Sequence, residues 1–292
     1  MKIIKLIATM LMLSTSFFSQ AHDDKIYQEV SQVMPKISVQ LWSVKNELKN
    51  DFKGTLQQIS DMGFDGVEFA GDFGPYKDDA QGLKAYLDGL GLKVSAAHIP
   101  FTAFDSDNFE QSVAFYRALG TDTLIVAWDE RAWNTEKVNS LIADLNTLFF
   151  KLKAEGFKFG FHNHAKEFNQ HKGATFWDHI ALSTPEDFVL QLDIGWVTFA
   201  GKNPVTYIER YPGRTLTTHI KAKLPNKSDD FKGNRPIVGD DVTDWSAVLN
   251  AEIAVGGTLW LVVEQEEYPD GLSPLAAIKL SKQGLDKVIA DL

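Results

Sequence analysis

The segment FVLQLDIGW, residues 188–196, is an apolar run that ends in a carboxylate, and three other segments in the second half of the chain share its form. FKFGFHNH at 157–164, TLTTHIK at 215–221 and LWLVVEQE at 259–266 each lead from hydrophobic residues into a side chain that can bind a divalent metal. In chain order they offer His162, Asp193, His219 and Glu264, two imidazoles and two carboxylates. A carboxylate or imidazole at the end of a buried strand is costly to desolvate unless it is paired or metallated. Four in succession imply one divalent ion at the mouth of a parallel barrel, where the loops after the strands carry the chemistry.

On the N-terminal side of these segments, short β-rich runs alternate with longer amphipathic ones from residue 36 onward, the pattern of βα units around a parallel sheet. The expected strands are Ile37 to Trp42, Gly66 to Ala70, Lys93 to His98, Thr123 to Trp128, Phe157 to His162, Phe188 to Ile194, Thr215 to Lys221 and Leu259 to Glu264. Helical stretches between them include Phe52 to Met62, Ala80 to Leu90, Asn108 to Leu119, Val138 to Glu155 and Pro204 to Tyr211, and Gly63, Gly91, Gly120 and Gly156 stand where helices would end. Eight strands with intervening helices predict an α/β protein that closes as a (β/α)8 TIM barrel. A doubly wound open sheet is the competing arrangement, but no glycine-rich phosphate loop follows the first strand.

The 292 residues divide into an expected signal peptide at 1–21, a polar lead-in at 22–35 and one barrel domain at 36–292. Lys2 and Lys5 precede an apolar stretch from Leu6 to Leu13, and Ser19 and Ala21 are the small residues that signal peptidase prefers. That stretch is shorter than the roughly 20 residues a bilayer span requires. The reading is an exported, periplasmic protein with no membrane association after cleavage. Cysteine is absent, so a core rather than disulfides must hold the fold. The formal charge of −10 disfavours nucleic acid and anionic membrane as partners. A neutral sugar or glycoside suits it better than a highly phosphorylated substrate. Nothing in the sequence speaks to oligomeric state.

Polar and aromatic residues collect where each strand runs out. Gln40 and Trp42 follow the first strand, Glu68 ends the second, His98 the third, and Trp128 stands with Asp129 and Glu130 after the fourth. Gln40, Trp42, His98 and Trp128 are candidates for substrate contact, the tryptophans either as packing or as faces for a sugar ring. Side chains alternate along a strand, so His162 and His164 share a face, as do His219 and Lys221. Asp193 can serve as a ligand or cap the turn that follows it, and Glu68 can form a salt bridge inside the barrel or act as a catalytic carboxylate. His164 can orient the metal site or carry protons, and Lys221 can stabilise an enediolate oxygen. His22, His171 and His179 lack a strand-end setting and are expected at the surface.

From about Ile37 to the C-terminus the chain resembles the xylose isomerase-like TIM-barrel superfamily, the sugar isomerase and epimerase group that includes inosose dehydratase. SVQLWSV, GFDGVEFAG, LDIGW, THIK, GDDVTDW and VVEQE carry the resemblance by their order and spacing. It implies a metal held at the ends of the fifth to eighth strands by His162, Asp193, His219 and Glu264, manganese foremost, with zinc, cobalt or iron as alternatives. Glu264, Glu68, His164 and Lys221 are the candidates for the catalytic groups. Two departures stand out: the family's fifth-strand glutamate is here His162, which removes the two-glutamate proton exchange of the epimerases, and Ala222 stands where the family often has aspartate.

A metal so held polarises a carbonyl and acidifies the adjacent C–H, and the resulting enediolate collapses by reprotonation or by loss of a β-substituent. The leading expectation is an isomerase or epimerase for a nonphosphorylated sugar. The alternative is a lyase or hydrolase that cleaves 3-keto-glycosides or dehydrates a keto-cyclitol, and the third is a non-catalytic carbohydrate-binding barrel. An endonuclease of the same superfamily fold is opposed by the acidic charge and the small ligand set. No nicotinamide or flavin fingerprint is present.

Overall fold

Period-two alternation in each strand separates two environments. Ile37, Val39, Val67, Phe69, Leu124, Val126, Phe159, Phe161, Leu190, Leu192, Leu261 and Val263 belong to one buried cluster between the sheet and its helices. The alternate positions face the barrel axis, where Ala96, Ile125 and Val189 form a small separate apolar layer. Each fully buried aliphatic or aromatic side chain contributes about 1.5–3 kcal/mol relative to exposure. Above the apolar layer the axial positions turn polar: Gln40, Glu68, Gln191 and His219 are all fully buried.

The computed structural model describes residues 34–226, 236–269 and 271–292. The expected leader at 1–21 lies outside the described residues, as does the lead-in up to residue 33. The barrel strands are β1 (Lys36–Gln40), β2 (Gly66–Phe69), β3 (Lys93–Ile99), β4 (Thr123–Val126), β5 (Lys158–His162), β6 (Val189–Asp193), β7 (Thr217–Ile220) and β8 (Trp260–Val263). Each pairs in parallel with the next, and β1 closes on β8 from Lys36 opposite Trp260 to Val39 opposite Val263. The expected eight-stranded barrel is therefore the fold. A two-stranded antiparallel ribbon, Gln170–His171 with Ala174–Thr175, is added after β5.

Helix ends follow the local chemistry. Phe52–Asp61 is capped by Asp51, whose carboxylate accepts from Gly54 N at 2.9 Å, and it turns Phe52, Leu56 and Ile59 toward the sheet. Phe109–Leu119 ends at Gly120 with φ 87°, a left-handed conformation that glycine adopts without a Cβ clash, and Gly63, Gly91 and Gly156 also have positive φ. The helix Pro274–Ala290 starts from a Ser273 cap and buries Ile278 and Leu285.

Six strands stop one or two residues earlier than expected, and at the first and the sixth the reason is side-chain capping. The first was expected to reach Trp42 but ends at Gln40, whose own Oε1 accepts from Trp42 N at 3.0 Å and bends the chain into the turn Leu41–Val44. The fourth ends at Val126 rather than Trp128, which leaves Trp128 on the loop. The sixth ends at Asp193, and helix Ile194–Phe199 begins at once because Asp193 Oδ1 accepts from Trp196 N at 2.8 Å. One placement is corrected: His171 is buried rather than at the surface, its ring stacked on Phe176 at 4.4 Å. No helix among the described residues is long and apolar enough to cross a membrane.

Candidate active site

Strand register decides which axial side chains share a level. Gln40 lies opposite Glu68, His162 opposite Gln191, and Asp193 opposite His219. Gly160 permits the close approach of β5 to β6, since a Cβ there would sit 2.1 Å from the Val189 carbonyl oxygen. Asn163, just after β5, accepts from Asp193 N at 2.9 Å and ties the ends of those two strands together.

Glu68 is the centre of the lower layer. Its Oε1 accepts from Gln40 Nε2 at 2.7 Å and lies 2.7 Å from His219 Nε2 and 3.0 Å from His98 Nε2. Its Oε2 accepts from Gln191 Nε2 at 2.8 Å. Burial alone would raise this carboxyl, but His219 and His98 outweigh burial and hold it far below the ordinary range. A carboxylate so filled with donors supports its neighbours rather than meeting substrate.

His219 bridges that layer to the next. Its Nδ1 is 2.6 Å from Glu264 Oε2 and 3.8 Å from Asp193 Oδ2. Burial disfavours the imidazolium, yet the flanking Glu68 and Glu264 raise its pKa to about 10. His162 Nε2 is 3.8 Å from Asp193 Oδ2. Burial first, then the neighbouring cationic groups, keeps His162 neutral. Asp193 divides its work: Oδ1 caps the following helix, while the buried Oδ2 accepts no well-aligned hydrogen bond and meets the Lys221 ammonium at 3.0 Å. Burial and the Glu264 charge push its pKa up, against the pull of Lys221.

The donor set fits a divalent cation. Ligand atoms of Asp193, His219 and Glu264 lie within 4.8 Å of one another, and among them Asp193 Oδ2 is buried with no hydrogen bond beyond its ion pair to Lys221. Nitrogen from His162 completes two imidazoles and two carboxylates, which suits a borderline metal. A second group, His98, His162 and His219, meets the same distance criterion and shares His219.

Above these residues opens a pocket of about 330 Å³ lined by Gln40, Trp42, His98, Trp128, His162, His164, Lys221, Glu264 and Glu266, with Ala70 and Ala127. Of the expected site residues, only Glu68, Asp193 and His219 do not line it, since they lie beneath. Trp42 is 45% exposed and Trp128 57%, so both rings offer a free face at the mouth. The His164 ring is 5.1 Å from that of His162, and its Nδ1 is buried without a hydrogen-bond partner. Burial and the Lys221 charge push its pKa down to about 3.

Three residues escaped the sequence reading. Gln191 precedes Asp193 by two and Glu266 follows Glu264 by two, so period-two parity was the signal that pointed to them. Asn163 carried no such signal, because it faces away from both histidines that flank it.

The fold and these strand-end residues define a family. The family model described as xylose isomerase-like TIM barrel matches residues 56–288, and the chain belongs to that family. Its relatives are isomerases, epimerases and dehydratases, so it is an enzyme family. The inosose dehydratase of Lacticaseibacillus casei is 22% identical over 270 residues, covering 80% of this chain and 89% of its own. A sugar phosphate isomerase/epimerase from Parabacteroides distasonis superposes with a TM-score of 0.73 at 22% identity, over 88% of this chain and 95% of that one. An IolI protein solved with a bound zinc atom superposes with a TM-score of 0.63 at 17% identity, over 88% and 98% of the two chains.

Proposed function

We propose that this protein is a metal-assisted lyase that removes water or another β-substituent from a nonphosphorylated keto-cyclitol or keto-sugar. The observation that carries this is the one-sided distribution of carboxylates in the pocket. Among the described residues, the two carboxylates that line it, Glu264 and Glu266, both follow β8, while the β5 side presents the imidazoles of His162 and His164. Epimerisation at one carbon needs proton carriers of matched strength on opposite faces. Elimination needs a single base whose conjugate acid can serve the leaving group.

His162, Asp193, His219 and Glu264 would hold the cation. When bound, a divalent metal there supplies polarisation of a substrate carbonyl, which acidifies the neighbouring C–H. Manganese is the ion the resemblance implies, and metal titration of the stripped protein ranks it against zinc, cobalt and iron. Glu264 acts as the base: Lys221 and His219 override its burial and keep it ionised, and they occupy Oε2, so Oε1 faces the substrate. The C–H proton passes to Glu264 as the C=C bond forms and the β-C–O bond breaks. Glu264 then returns that proton to the leaving oxygen, which departs as water or an alcohol. Neutral His164 accepts a hydrogen bond from a substrate hydroxyl, and Trp42 and Trp128 cover the ring faces. Among the described lining residues Lys221 is the one ammonium or guanidinium, and it is held by carboxylates, which argues against a phosphate subsite.

The same carboxylate can instead return the proton to the adjacent carbon, so aldose–ketose isomerisation is the second reading. Incubating metal-loaded protein with an inosose, ketoses and 3-keto-glycosides in deuterated water separates the two. Loss of water or release of an aglycone supports elimination; deuterium in an otherwise intact, isomerised sugar overturns it. The inosose dehydratase relatives support the dehydrating outcome. Export is part of the proposal, with a mature N-terminus near His22; mass spectrometry of the periplasmic fraction that finds Met1 to Ala21 retained contradicts it.

A further inference from the structure

Gln191 stands at the centre of a hydrogen-bond network whose proton directions can be worked out from one fixed point. The backbone N–H of Trp42 is that point, since it only donates: it holds Gln40 Oε1 at 3.0 Å and so turns Gln40 Nε2 toward His98 Nδ1, leaving the His98 proton on Nε2. Glu68 Oε2 lies 2.8 Å from the Gln191 amide nitrogen, which also lies 3.3 Å from Thr217 Oγ1, so both amide protons have acceptors. The flipped amide would set its NH2 against the protonated Nε2 of His98 and is excluded. Gln191 Oε1 must then face the imidazoles, at 2.7 Å from His98 Nε2 and 3.1 Å from His162 Nδ1. An amide oxygen only accepts, so each of those ring nitrogens must carry the proton.

We propose that Gln191 is a positioning residue that holds His162 as the Nδ1–H tautomer, so that the bare Nε2 faces Asp193 Oδ2 and is ready to ligate the metal. A carboxylate ligand needs no particular tautomer. The imidazole does need one, because free neutral histidine prefers the proton on Nε2, the atom required as ligand. A partner that donates from the far side of a ligating imidazole, or accepts from it, fixes the ring orientation and tautomer. Gln191 takes its orientation from the His98 Nε2–H and passes it to His162 Nδ1. The inference rests on the metal reading of the site for its consequence, but the tautomer itself does not.

The test uses both properties. In the metal-free wild-type protein, long-range proton–nitrogen correlation of labelled histidine should show His162 protonated on Nδ1. Gln191→Met, close in volume and without an acceptor, should weaken divalent-metal binding by about 10–100-fold in competition with a chelator, the range for loss of such a partner. Circular dichroism should be unchanged, and His162 should shift toward the Nε2–H form. An Nε2–H signal in the wild type overturns the proposal even if Gln191→Met does not fold. Wild-type metal affinity in a folded Gln191→Met variant with a changed tautomer also overturns it. A wild-type Nδ1–H signal with no metal bound by any of manganese, zinc, cobalt or iron overturns the metal reading and leaves the tautomer assignment supported.

Discussion

Lys221 Nζ lies 3.0 Å from Asp193 Oδ2, so a buried ammonium touches the one oxygen of that carboxylate that the helix cap leaves free. The same ammonium is 3.0 Å from Glu264 Oε2 and 2.8 Å from Glu266 Oε2. Burial would favour the neutral amine, but Asp193, Glu264 and Glu266 together hold the lysine protonated far above its ordinary range. Lys221 thereby keeps the carboxylates of the site gathered.

Removing that cation leaves three acidic groups facing one another. Lys221→Met should destabilise the protein in chelator by about 3 kcal/mol, the lower end for breaking a buried pair. A saturating divalent metal should recover much of the loss. Urea denaturation with and without metal checks this; equal stability of variant and wild type in chelator would count against Lys221 as the internal counter-ion.

The two oxygens of Asp193 can be separated by substitution. Asp193→Asn keeps a side chain able to cap helix Ile194–Phe199 but lacks the charge that meets both the metal and Lys221, so metal should be lost and part of the metal-free stability with it. Asp193→Ala should lose metal and also about 1 kcal/mol of capping. Elemental analysis and denaturation of both variants decide it; full metal occupancy in either removes Asp193 from the ligand set.

His164 lines the pocket without contacting the other ligand atoms closely. His164→Ala should therefore keep nearly full metal occupancy while lowering turnover by about 10-fold, the loss of one hydrogen bond to a substrate hydroxyl. Wild-type turnover at saturating substrate would remove His164 from the chemistry.

A glutamate far from the pocket predicts a pH dependence. Glu252 is fully buried, Thr218 Oγ1 donates to its Oε1 at 2.9 Å, and Thr258 contacts its Oε2. Thr258 Oγ1 also lies 2.7 Å from the Thr215 carbonyl oxygen, so its single proton is divided between that carbonyl and Glu252. Burial raises its pKa from 4.5 to about 7, against the pull of the threonines. The folded state binds more protons than the unfolded state between those values. Its contribution is complete below about pH 4.5 and falls as pH rises to about 7. Glu252→Gln should abolish that fall and exceed the wild type by about 2–3 kcal/mol at pH 8. Parallel urea curves for the two proteins at pH 5 and pH 8, with a constant gap between them, would contradict it.

Much of this site was legible in the residues themselves. A strand buried on both faces must be apolar until it reaches the mouth, so the first ionisable residue after such a run marks the strand end: His162, Asp193, His219 and Glu264 each obey this. Alternation then placed His164 and Lys221 on the same faces as their neighbours, and both line the pocket. Capping competes with strand extension through side-chain hydrogen bonds, which is why the ends at Gln40 and Asp193 came early.

Partnership within the barrel could not be read that way. His219 meets Glu68 across 151 residues of sequence, and Gln191 meets the same carboxylate across 123. Those contacts exist because closing the sheet fixes the relative height of strands that are not neighbours in the chain, and hydrophobic alternation reports only which face a residue takes. The strand-end imidazoles and carboxylates and the eight-stranded closure were thus written into the sequence. Only tertiary register decided that His162 stands level with Gln191 rather than Asp193, and that one lysine serves three carboxylates.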